Sequence, residues 1–390
     1  MARAASGSAA LRKLWRSARL YGARRAYVKA LGRLDWPLPA VPWARDRERD
    51  VLLAGCGQFG FATISFFLAA QLGNRFAACF DTDRNRAERT RRAYRYAGIA
   101  ERFEDLLQVE GGRYLYIASN HASHAEYAIA GLRAGKSVYV EKPIAVDLDQ
   151  LARLWQEAGN HPDRIYCGYN RPFSRAVELL RGELPRGDGP MTLSCFIAGH
   201  VIAEDHWYRD PREGTRVCGN LGHWLDLAVH LVSLRDLPDE WRIQIAYSNR
   251  DVRDDDLGVS LCSESGDLVT LTLTARAEPF EGINESISLQ HGDLMAKIDD
   301  FRRMTLWRGE RRRSRSFRPK DVGHRRAILQ PFDEETAFRR DFEEVVSSSL
   351  LTLCIADMVR AGECEKTFSF RQARQAMERA AKTPDAVDAP

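Results

Sequence analysis

The sequence lacks a long hydrophobic run, paired cysteines and a metal-binding motif. Its longest apolar run, near residues 59–70, is too short for a transmembrane helix, which needs about 20 residues. The eight cysteines show no C-x-x-C pair or regular spacing, which argues against a zinc site or a disulfide framework and favours a reducing cytosol. The nine histidines form no H-E-x-x-H pattern, so no metal is predicted. The 390 residues therefore predict a globular, cytoplasmic protein of about two domains.

Acidic residues are absent from the first 34 residues, which hold nine Lys or Arg. Because the whole chain carries +4, the remainder carries −5 and is not predicted to bind nucleic acid. The basic segment places apolar residues at helical spacing: Leu11, Leu14, Trp15, Ala18 and Tyr21. This pattern predicts a basic amphipathic helix, for which two interpretations are open. Either residues 11–34 contact an anionic membrane surface or a partner, or, as is commoner, the helix packs on the protein's own body or is a solvated extension.

A glycine-rich turn follows the proline-rich linker at residues 35–43. The sequence DVLLAGCGQFG predicts a short buried strand followed by Gly55, Gly57 and Gly60, and an apolar helix pattern comes next. Glycines at this spacing let the backbone approach a pyrophosphate, and the helix N-terminus supplies N–H groups and positive potential. This context between strand and helix predicts a dinucleotide-binding site.

An acidic residue at the end of the next strand supports a dinucleotide site. Asp81 ends the strand pattern RFAACFDTD, 21 residues beyond Gly60. A carboxylate there would accept hydrogen bonds from the adenosine ribose and repel a 2′-phosphate, which predicts NAD. Arg84 and Arg86 lie close enough to soften that preference, so NADP stays open.

The alternation of strand and helix continues to about residue 168. RYLYIAS, SVYVEKP and RIYCGYN read as strands, and HAEYAIAGLRAG reads as a helix. In an open parallel sheet, the ligand lies beyond the carboxyl ends of the strands. The sequence therefore predicts that these polar positions share one rim: Gly57, Asp81, Ser119, Asn120, Glu141, Lys142 and Tyr169.

Together these motifs resemble the glucose–fructose oxidoreductase / inositol dehydrogenase (Gfo/Idh/MocA) family. The matching segments are GCGQFG, DTD, IASNHASHAEYAIAGLRAGKSVYVEKP, GYNRPFS and the H-x-x-D of His223 and Asp226. The resemblance is dense over residues 51–230, looser to about residue 375, and does not extend to residues 1–50. The combination of motifs is specific, although no single one would be.

The resemblance implies an α/β fold, in which an N-terminal Rossmann parallel sheet precedes an α+β domain with an open, mostly antiparallel sheet. Seven strand patterns agree, from MTLSCFIA to MTLWRG, and a helical region follows at roughly residues 333–361. The expected divisions are a basic extension with linker at 1–48, a dinucleotide-binding domain at 49–168, a substrate and oligomerisation domain at 169–375, and a tail at 376–390. The open sheet commonly mediates oligomer contacts in the family, which implies a homo-oligomer.

The resemblance also implies the chemistry, because family members oxidise a carbinol on a sugar or cyclitol, or reduce the ketone, with NAD(P) as the hydride carrier. It assigns Lys142 and His223 as the catalytic pair. The cofactor residues it implies are Gly55, Gly57, Gln58, Phe59, Gly60, Asp81, Ser119, Asn120, His124, Glu141, Lys142 and Asn170. The substrate residues it implies are Arg171, His206, Trp207, Asn220, His223 and Asp226. Structural roles are open alternatives for His124, Arg171 and Trp207, whereas core or structural roles are favoured for Trp224, His200 and His230.

Two neighbouring positions depart from the family pattern. Many relatives carry an aspartate four residues before the histidine, where this chain has Gly219, and a subset carries a glutamate where it has Asn220. Asparagine can orient a hydroxyl but cannot take its proton at pH 7. Lys142 and His223 are then the only ionisable pair expected at the reaction centre.

Three functional hypotheses follow. The first is an NAD(P)-dependent dehydrogenase that acts on a nucleotide-linked sugar in glycan or polysaccharide metabolism. This hypothesis rests on the resemblance to the subset of relatives just mentioned, and on the basic run at residues 308–326, which could hold the phosphates of a nucleotide-sugar. The alternative for that run is a solvated loop. The second is a redox-neutral epimerase, lyase or glycosidase that holds NAD tightly. The third is a catalytically silent NAD-binding scaffold, which the missing acid supports.

Overall fold

The computed structural model describes residues 7–34, 38–42, 44–185, 187, 189–277, 282–332 and 339–382. The predicted linker at residues 35–43 therefore lies partly outside the described residues. Within those ranges, no helix combines the length and the hydrophobicity that crossing a membrane requires.

Two helices precede the first sheet, α1 (Gly7–Tyr21) and α2 (Ala23–Leu34). In α2, Val28 and Leu31 are buried in the same apolar cluster as residues of the first sheet and of the glycine-rich turn. In α1, Trp15 is 62% exposed and lies beneath the guanidinium of Arg19, 4.8 Å from the ring centroid. Packing on the protein's own body, the commoner interpretation, is thus confirmed for α2, while the indole of Trp15 faces solvent.

Six parallel strands form the first sheet, in the order β3-β2-β1-β4-β5-β6. They are β1 (Asp46–Ala54), β2 (Asn74–Phe80), β3 (Gly98–Ile99), β4 (Tyr114–Ile117), β5 (Ser137–Val140) and β6 (Ile165–Cys167). The accompanying helices are α3 (Phe66–Leu72), α4 (Arg84–Tyr94), α5 (Phe103–Leu107), α6 (His124–Arg133) and α7 (Leu148–Gly159). This strand order is that of the Rossmann fold, so the carboxyl ends of neighbouring strands meet at one rim.

Nine strands form the second sheet, in the order β14-β13-β12-β11-β7-β10-β9-β8-β15. They are β7 (Met191–Ala198), β8 (Glu240–Tyr247), β9 (Leu257–Ser263), β10 (Leu268–Thr274), β11 (Asn284–His291), β12 (Leu294–Asp299), β13 (Arg303–Arg308), β14 (Arg311–Ser316) and β15 (Glu365–Ser369). Only β7 and β10 pair in parallel, so the sheet is mixed but mostly antiparallel. Side chains alternate between buried and exposed along β7 to β12, so one face packs on the core and the other is open. The predicted fold class is confirmed.

Among the residues described after the first sheet, the α-helices are α8 (Arg175–Glu183), α9 (Gly222–Val232), α10 (His324–Leu329), α11 (Phe342–Ala361) and α12 (Phe370–Lys382). The predicted helical region at 333–361 appears as α11, and residues 333–338 lie outside the described residues. Helix α12 runs across the boundary expected between residues 375 and 376, so the described part of the expected tail is helical.

All seven strands predicted for the second sheet are confirmed, but two further strands were missed. Residues 308–326 were expected to form a solvated loop, yet they contain β14, which pairs with β13 along its whole length. All six residues of β14 are exposed, so the strand has no apolar alternation that a sequence could reveal. β15 was missed for the same reason, because Phe368 is its only buried residue. Backbone pairing with a neighbouring strand defines both.

Candidate active site

The glycine-rich turn leaves space at one glycine and none at the other two. A Cβ on Gly55, whose φ is +96°, would lie 2.3 Å from the carbonyl oxygen of Ala118. A Cβ on Gly60 would lie 2.1 Å from the carbonyl oxygen of Gly55. A Cβ on Gly57 would meet no atom within 4 Å. Gly55 and Gly60 therefore close the turn itself, while the backbone at Gly57 is open for the approach of a ligand such as a pyrophosphate.

Asp81 is held beside this turn at the carboxyl end of β2. Its Oδ2 accepts a hydrogen bond from the backbone N–H of Cys56 at 2.7 Å, and its Oδ1 accepts one from Asp83 at 2.8 Å. These two bonds orient the carboxylate against the turn, and each oxygen keeps a lone pair for a ribose hydroxyl. The predicted pairing of Gly57 with Asp81 at one rim is consistent with this geometry, and the residues present fit a dinucleotide.

The side chains of Gln58 and Phe59 contact elements beyond the turn. Gln58 Oε1 lies 3.2 Å from the position that a Cβ on Gly32 of α2 would take. The ring of Phe59 meets the imidazole of His324 edge-on, with 5.5 Å between the ring centroids. The N-terminal helix α2 and the start of α10 thus both border the glycine-rich turn, and cofactor contacts of Gln58 and Phe59 stay predictions.

Glu141 is buried at the carboxyl end of β5. The hydroxyl of Tyr139 donates to its Oε1 at 2.8 Å. Gly168 makes room for the carboxyl group, because a Cβ there would lie 2.7 Å from the same oxygen. Burial raises the pKa of Glu141 to about 7, an effect that its hydrogen bond to Tyr139 and the charge of Lys142 only partly offset.

Lys142 bridges the rim of the first sheet to the turn that precedes α9. Its Nζ donates a hydrogen bond to the carbonyl oxygen of Gly219 at 2.6 Å. Burial lowers the pKa of Lys142 to about 8, although the neighbouring Glu141 acts in the opposite direction. An amine with this pKa can exchange a proton near neutral pH, as a general acid or base must.

His223 lies on the first turn of α9, directly after the segment that Lys142 contacts. The side chain is buried, and its Nδ1 has no hydrogen-bond partner among the described residues. Burial lowers the pKa of His223 well below its usual range, and the positive charges of Arg171 and Lys142 lower it further. His223 is therefore a neutral imidazole beside Lys142, as expected for the predicted pair.

Asp226 is enclosed by the protein, which contradicts the substrate contact predicted for it. It is fully buried, and both of its oxygens accept hydrogen bonds from Arg340, at 2.8 and 2.9 Å. The hydroxyl of Ser348 donates to the same carboxylate at 2.9 Å. These contacts tie α9 to α11 and the segment before it, so Asp226 anchors the helix that carries His223.

Asn220 stands at the position where the resemblance to the family leads one to expect a glutamate. Its Oδ1 accepts a hydrogen bond from Nε of Arg216 at 3.2 Å. Arg216 is fully buried and also donates to Asp255 at 2.8 Å and to the carbonyl oxygen of His200 at 2.8 Å. The side-chain oxygen of Asn220 is therefore used by Arg216. The substrate contact predicted for Asn220 would have to come from its side-chain N–H groups.

The rim of the first sheet and the loops after its strands form one side of the site, the cofactor wall, and residues 206–223 form the other side, the second wall. Glu213, which the sequence did not single out, fastens the loop after β4 to the second wall. Its Oε1 accepts from Nδ2 of Asn120 at 2.7 Å, and its Oε2 accepts from the backbone N–H of Ala122 at 3.2 Å. Its carbonyl oxygen lies 2.9 Å from Nδ1 of His121. Ser119, which shares the loop, has its hydroxyl 2.7 Å from that of Ser123. One buried glutamate thus joins the two walls.

His121 of this loop borders Gly219, whereas His124 packs against Pro143. Nδ1 of His124 lies 2.8 Å from the carbonyl oxygen of Pro143, and its Nε2 lies 3.3 Å from that of Ser119. Burial lowers the pKa of His124 to about 4, so the ring is neutral and its single N–H donates to only one of these two carbonyl oxygens. The cofactor contact predicted for His124 stays a prediction. His121 Cε1 lies 3.1 Å from the position of a Cβ on Gly219. The sequence singled out His124 and not His121, because the spacing of two histidines three residues apart does not show which of them approaches Gly219.

Asn170 and Arg171 also take structural roles. The amide of Asn170 donates to the carbonyl oxygen of Val322, and its oxygen accepts from Arg171 at 3.0 Å. Arg171 is buried and pairs with Glu285 of β11 at 3.2 Å, while its guanidinium lies 4.7 Å from the ring centroid of Trp224. Because these contacts use both ends of the Asn170 amide and the Arg171 charge, the predicted ligand contacts are replaced by contacts that hold the junction together.

A cluster of ring side chains borders Gly219. His206, Trp207 and Tyr208 belong to the second wall, and His121 belongs to the loop after β4. The ring centroids of Trp207 and Tyr208 lie 4.3 Å apart, and those of His121 and Trp207 lie 4.7 Å apart. Trp207 is 44% exposed, so a face of the cluster is open to a ligand. Nδ1 of His206 accepts a hydrogen bond from the backbone N–H of Tyr208 at 3.2 Å, which shapes the turn.

Two further aromatic predictions are confirmed. Trp224 is fully buried in the apolar core, as favoured for it. His230 lies 2.9 Å from Glu344 and belongs to the same buried network as Asp226 and Arg340, which gives it the expected structural role. Neither side chain lines the cleft.

His324 was not singled out by the sequence and lies close to the predicted catalytic pair. Its Nδ1 is buried without a partner among the residues described. Burial lowers the pKa of His324 well below its usual range, and the charges of Arg25, Arg171 and Lys142 lower it further. His324 lies within the basic run at residues 308–326. The charge of that run gave no indication that one of its residues lies near Lys142.

The sequence of residues 49–169 matches the family described as oxidoreductases with an NAD-binding Rossmann fold, GFO_IDH_MocA. This Rossmann domain belongs to the Gfo/Idh/MocA family. The resemblance inferred from the motifs is thereby confirmed, and so is NAD as the cofactor that the family binds. The open backbone at Gly57 and the oriented Asp81 are the features of this chain that fit that cofactor.

Curated relatives match less than half of the chain. Inositol 2-dehydrogenase of Serratia proteamaculans (strain 568) is 27% identical over 159 residues, which are 40% of this chain and 47% of that protein. The chain thus spans about half the length of the curated relatives it matches.

Solved structures match over both domains. Levoglucosan dehydrogenase in complex with NADH gives a TM-score of 0.67 at 15% identity, covering 83% of this chain and 99% of that one. UDP-N-acetylglucosamine 3-dehydrogenase GnnA from Acidithiobacillus ferrooxidans gives a TM-score of 0.63 at 19% identity, covering 81% and 98%. At these identities the likeness shows the shared fold of both domains.

Proposed function

We propose that the protein is an NAD-dependent oxidoreductase that interconverts a carbinol and a ketone on a sugar. The observation that carries this proposal is the hydrogen bond from Lys142 to Gly219, which sets an amine with a pKa of about 8 between the NAD-binding rim and the opposite wall. The inositol dehydrogenases among its relatives act on the same type of group.

The residues around Lys142 handle the proton of the reaction. When bound, NAD accepts or returns the hydride. In its neutral form, Lys142 takes the proton of the carbinol hydroxyl, and as an ammonium it returns the proton to the ketone oxygen. His223, kept neutral by burial, hydrogen-bonds the same oxygen, and the buried Glu141 keeps the amine in position.

We propose NAD rather than NADP as the preferred cofactor. Arg84 forms ion pairs with Glu101 and Glu88, and Arg86 forms one with Asp83 at 3.2 Å. Both guanidinium groups near Asp81 therefore have acidic partners, which makes them poor receptors for a 2′-phosphate. The carboxylate of Asp81 repels that phosphate directly.

For the substrate we propose a nucleotide-linked sugar of glycan or polysaccharide metabolism. The open face of Trp207 offers a platform on which a sugar ring can stack. The cations near the cleft, among them Arg25 and Lys142, favour an anionic substrate. Likeness in fold to a UDP-N-acetylglucosamine dehydrogenase supports the same class.

Two other functions make different predictions for the same site. A redox-neutral epimerase, lyase or glycosidase would hold NAD tightly and return the hydride to the same molecule. A silent scaffold would bind NAD without turnover, and the absence of an acid at Gly219 is the observation that favours it.

The experiment that separates these functions follows the absorbance of reduced nicotinamide. The full chain is incubated with NAD and a panel of nucleotide-sugars, free sugars and inositols. Net reduction of NAD with a nucleotide-sugar supports the proposal. Product formation without net reduction supports the redox-neutral enzyme, and turnover of no substrate supports the scaffold.

We also propose a cytoplasmic homo-oligomer that assembles through the open face of the second sheet. Phe196 on β7 and Met295 on β12 are each 51% exposed on that face. Sedimentation of the wild type and of Phe196→Lys tests the assembly, because a charge at the centre of a packed interface should release protomers. An unchanged sedimentation coefficient would reject it.

Membrane contact through residues 11–34 remains a proposal of the same kind. The exposed indole of Trp15 among the arginines of α1 supports it. Trp15→Ala should reduce co-sedimentation with anionic vesicles, and unchanged partitioning would reject the contact.

A further inference from the structure

The space that an acid would need at position 219 is already filled. A Cβ on Gly219 would lie 2.7 Å from Cε2 of Tyr208 and 3.1 Å from its Cζ. Real Cβ atoms do not approach other atoms this closely, and the phenol ring is held by its neighbours rather than free to swing away. No side chain therefore fits at position 219 while Tyr208 keeps its place.

The Tyr208 ring and the amine of Lys142 both contact Gly219. Lys142 donates its hydrogen bond to the carbonyl oxygen of Gly219, the same residue against which Tyr208 packs. A Cβ and a carbonyl oxygen of one residue are only a few bonds apart. The Tyr208 ring and the amine of Lys142 are thus both placed by one residue, Gly219.

Several contacts fix the Tyr208 ring in this position. Its centroid lies 5.0 Å from that of His121 and 5.1 Å from that of His206. The turn that follows is tied to the loop after β4 by Glu213. No hydrogen bond to the hydroxyl itself occurs among the residues described, so the group is available to a ligand.

The charge state of Tyr208 suits a donor. Burial raises its pKa to about 12, and the carboxylates of Glu141 and Glu213 act in the same direction while Arg216 opposes them. The phenol therefore keeps its proton at every pH at which Lys142 titrates, and it can donate a hydrogen bond but not act as a base.

We propose that Tyr208 is a catalytic residue whose hydroxyl donates a hydrogen bond to the reacting substrate oxygen, in the place that an acidic side chain takes in relatives. This role rests on the proposed function. In the oxidising direction the carbinol O–H proton passes to the neutral amine of Lys142, and the C–H bond yields its hydride to NAD. The carbonyl π bond forms, and Tyr208 keeps its proton while it stabilises the negative charge on the oxygen.

The first test replaces the hydroxyl alone. Tyr208→Phe should lower kcat about 100-fold, as the loss of one donor to a developing oxyanion does, and leave the dissociation constant of NAD unchanged. The matched control is Tyr247→Phe, because the Tyr247 hydroxyl donates to backbone carbonyl oxygens of the second domain, including that of Glu363 at 2.7 Å. The control should turn over like the wild type.

The outcomes separate this role from the proposed function. A wild type that turns over no nucleotide-sugar, free sugar or inositol would overturn both. Turnover by the wild type with an unchanged kcat in Tyr208→Phe would overturn the role of Tyr208 alone. Because Tyr208 does not titrate, the pH at which the rate rises should be the same in both proteins, and a shift would point to a structural effect on Lys142.

The second test uses stability and needs no substrate. Gly219→Asp should lower the melting temperature, because the new side chain overlaps the Tyr208 ring. Gly219→Asp/Tyr208→Ala should recover the lost stability and turn over faster than Tyr208→Ala, because the acid then has room. A Gly219→Asp protein as stable as the wild type would show that Tyr208 does not fill this space.

Discussion

The two walls of the cleft are assembled in different ways. The cofactor wall is built from short contiguous motifs at the ends of neighbouring parallel strands, with Gly57 and Asp81 held by backbone contacts. The second wall is assembled from distant segments, and its Tyr208 and Glu213 meet His121 of the cofactor wall only through tertiary contacts. The positions of the site residues on the cofactor wall follow from the direction of the local chain. Those on the second wall depend on buried contacts between distant segments.

The largest effect is expected where the second wall is anchored. Asp226→Asn should lower the free energy of unfolding by about 3 kcal/mol, because it leaves the buried charge of Arg340 with fewer partners. Chemical denaturation measures this change. Asp357→Asn, in an exposed ion pair with Arg360, is the control and should cost about 0.5 kcal/mol or less. Equal stability of Asp226→Asn and the wild type would mean that the network does not hold α9.

A smaller effect is expected where α2 supports the cofactor wall. Leu31→Ala should lower the free energy of unfolding by about 2 kcal/mol, because Leu31 is buried in the cluster that contains Phe61. Leu14→Ala on α1, where the side chain is 39% exposed, should change it by less than about 0.5 kcal/mol. Thermal denaturation compares the two, and similar losses would contradict the packing described for α2.

The glycine-rich turn allows the cofactor wall to be tested for binding apart from folding. Gly57→Ala should keep the stability of the wild type but weaken NAD binding about tenfold, or about 1.4 kcal/mol, because the methyl group enters the ligand's space. Gly60→Ala should instead destabilise the fold, since its Cβ would meet the carbonyl oxygen of Gly55. Calorimetric titration with NAD checks the first, and undiminished affinity would remove Gly57 from the site.

The smallest effect is expected at the open edge of the second wall. Trp207→Ala should raise KM for the substrate about fivefold, in keeping with about 1 kcal/mol for one stacking contact, and leave NAD affinity unchanged. Steady-state kinetics measures both. A change in kcat with constant KM would mean that Trp207 acts on the reaction rather than on binding.

The contrast between the walls also explains what the sequence could predict. Gly55, Gly57, Asp81 and Lys142 stand at strand ends in contiguous motifs, and the alternating strands of the second sheet are visible as a period of two. The H-x-x-D motif placed Asp226 among the substrate residues, because the spacing within a motif does not show which face of the helix meets Arg340. Tyr208, Glu213 and His324 were missed because contacts between distant segments leave no local pattern. β14 was missed because none of its side chains is buried.

The central claim is that Lys142 exchanges the substrate proton between these walls, and the pH dependence of NAD reduction tests it most directly. With a substrate from the panel, the rate of oxidation by the wild type should rise with pH and level off above about 8, where the amine of Lys142 has lost its proton. Lys142→Met should bind NAD normally, lose about 1,000-fold in kcat and lose this rise with pH. A Lys142→Met protein that keeps its turnover, or keeps the same rise through pH 8, would contradict the account.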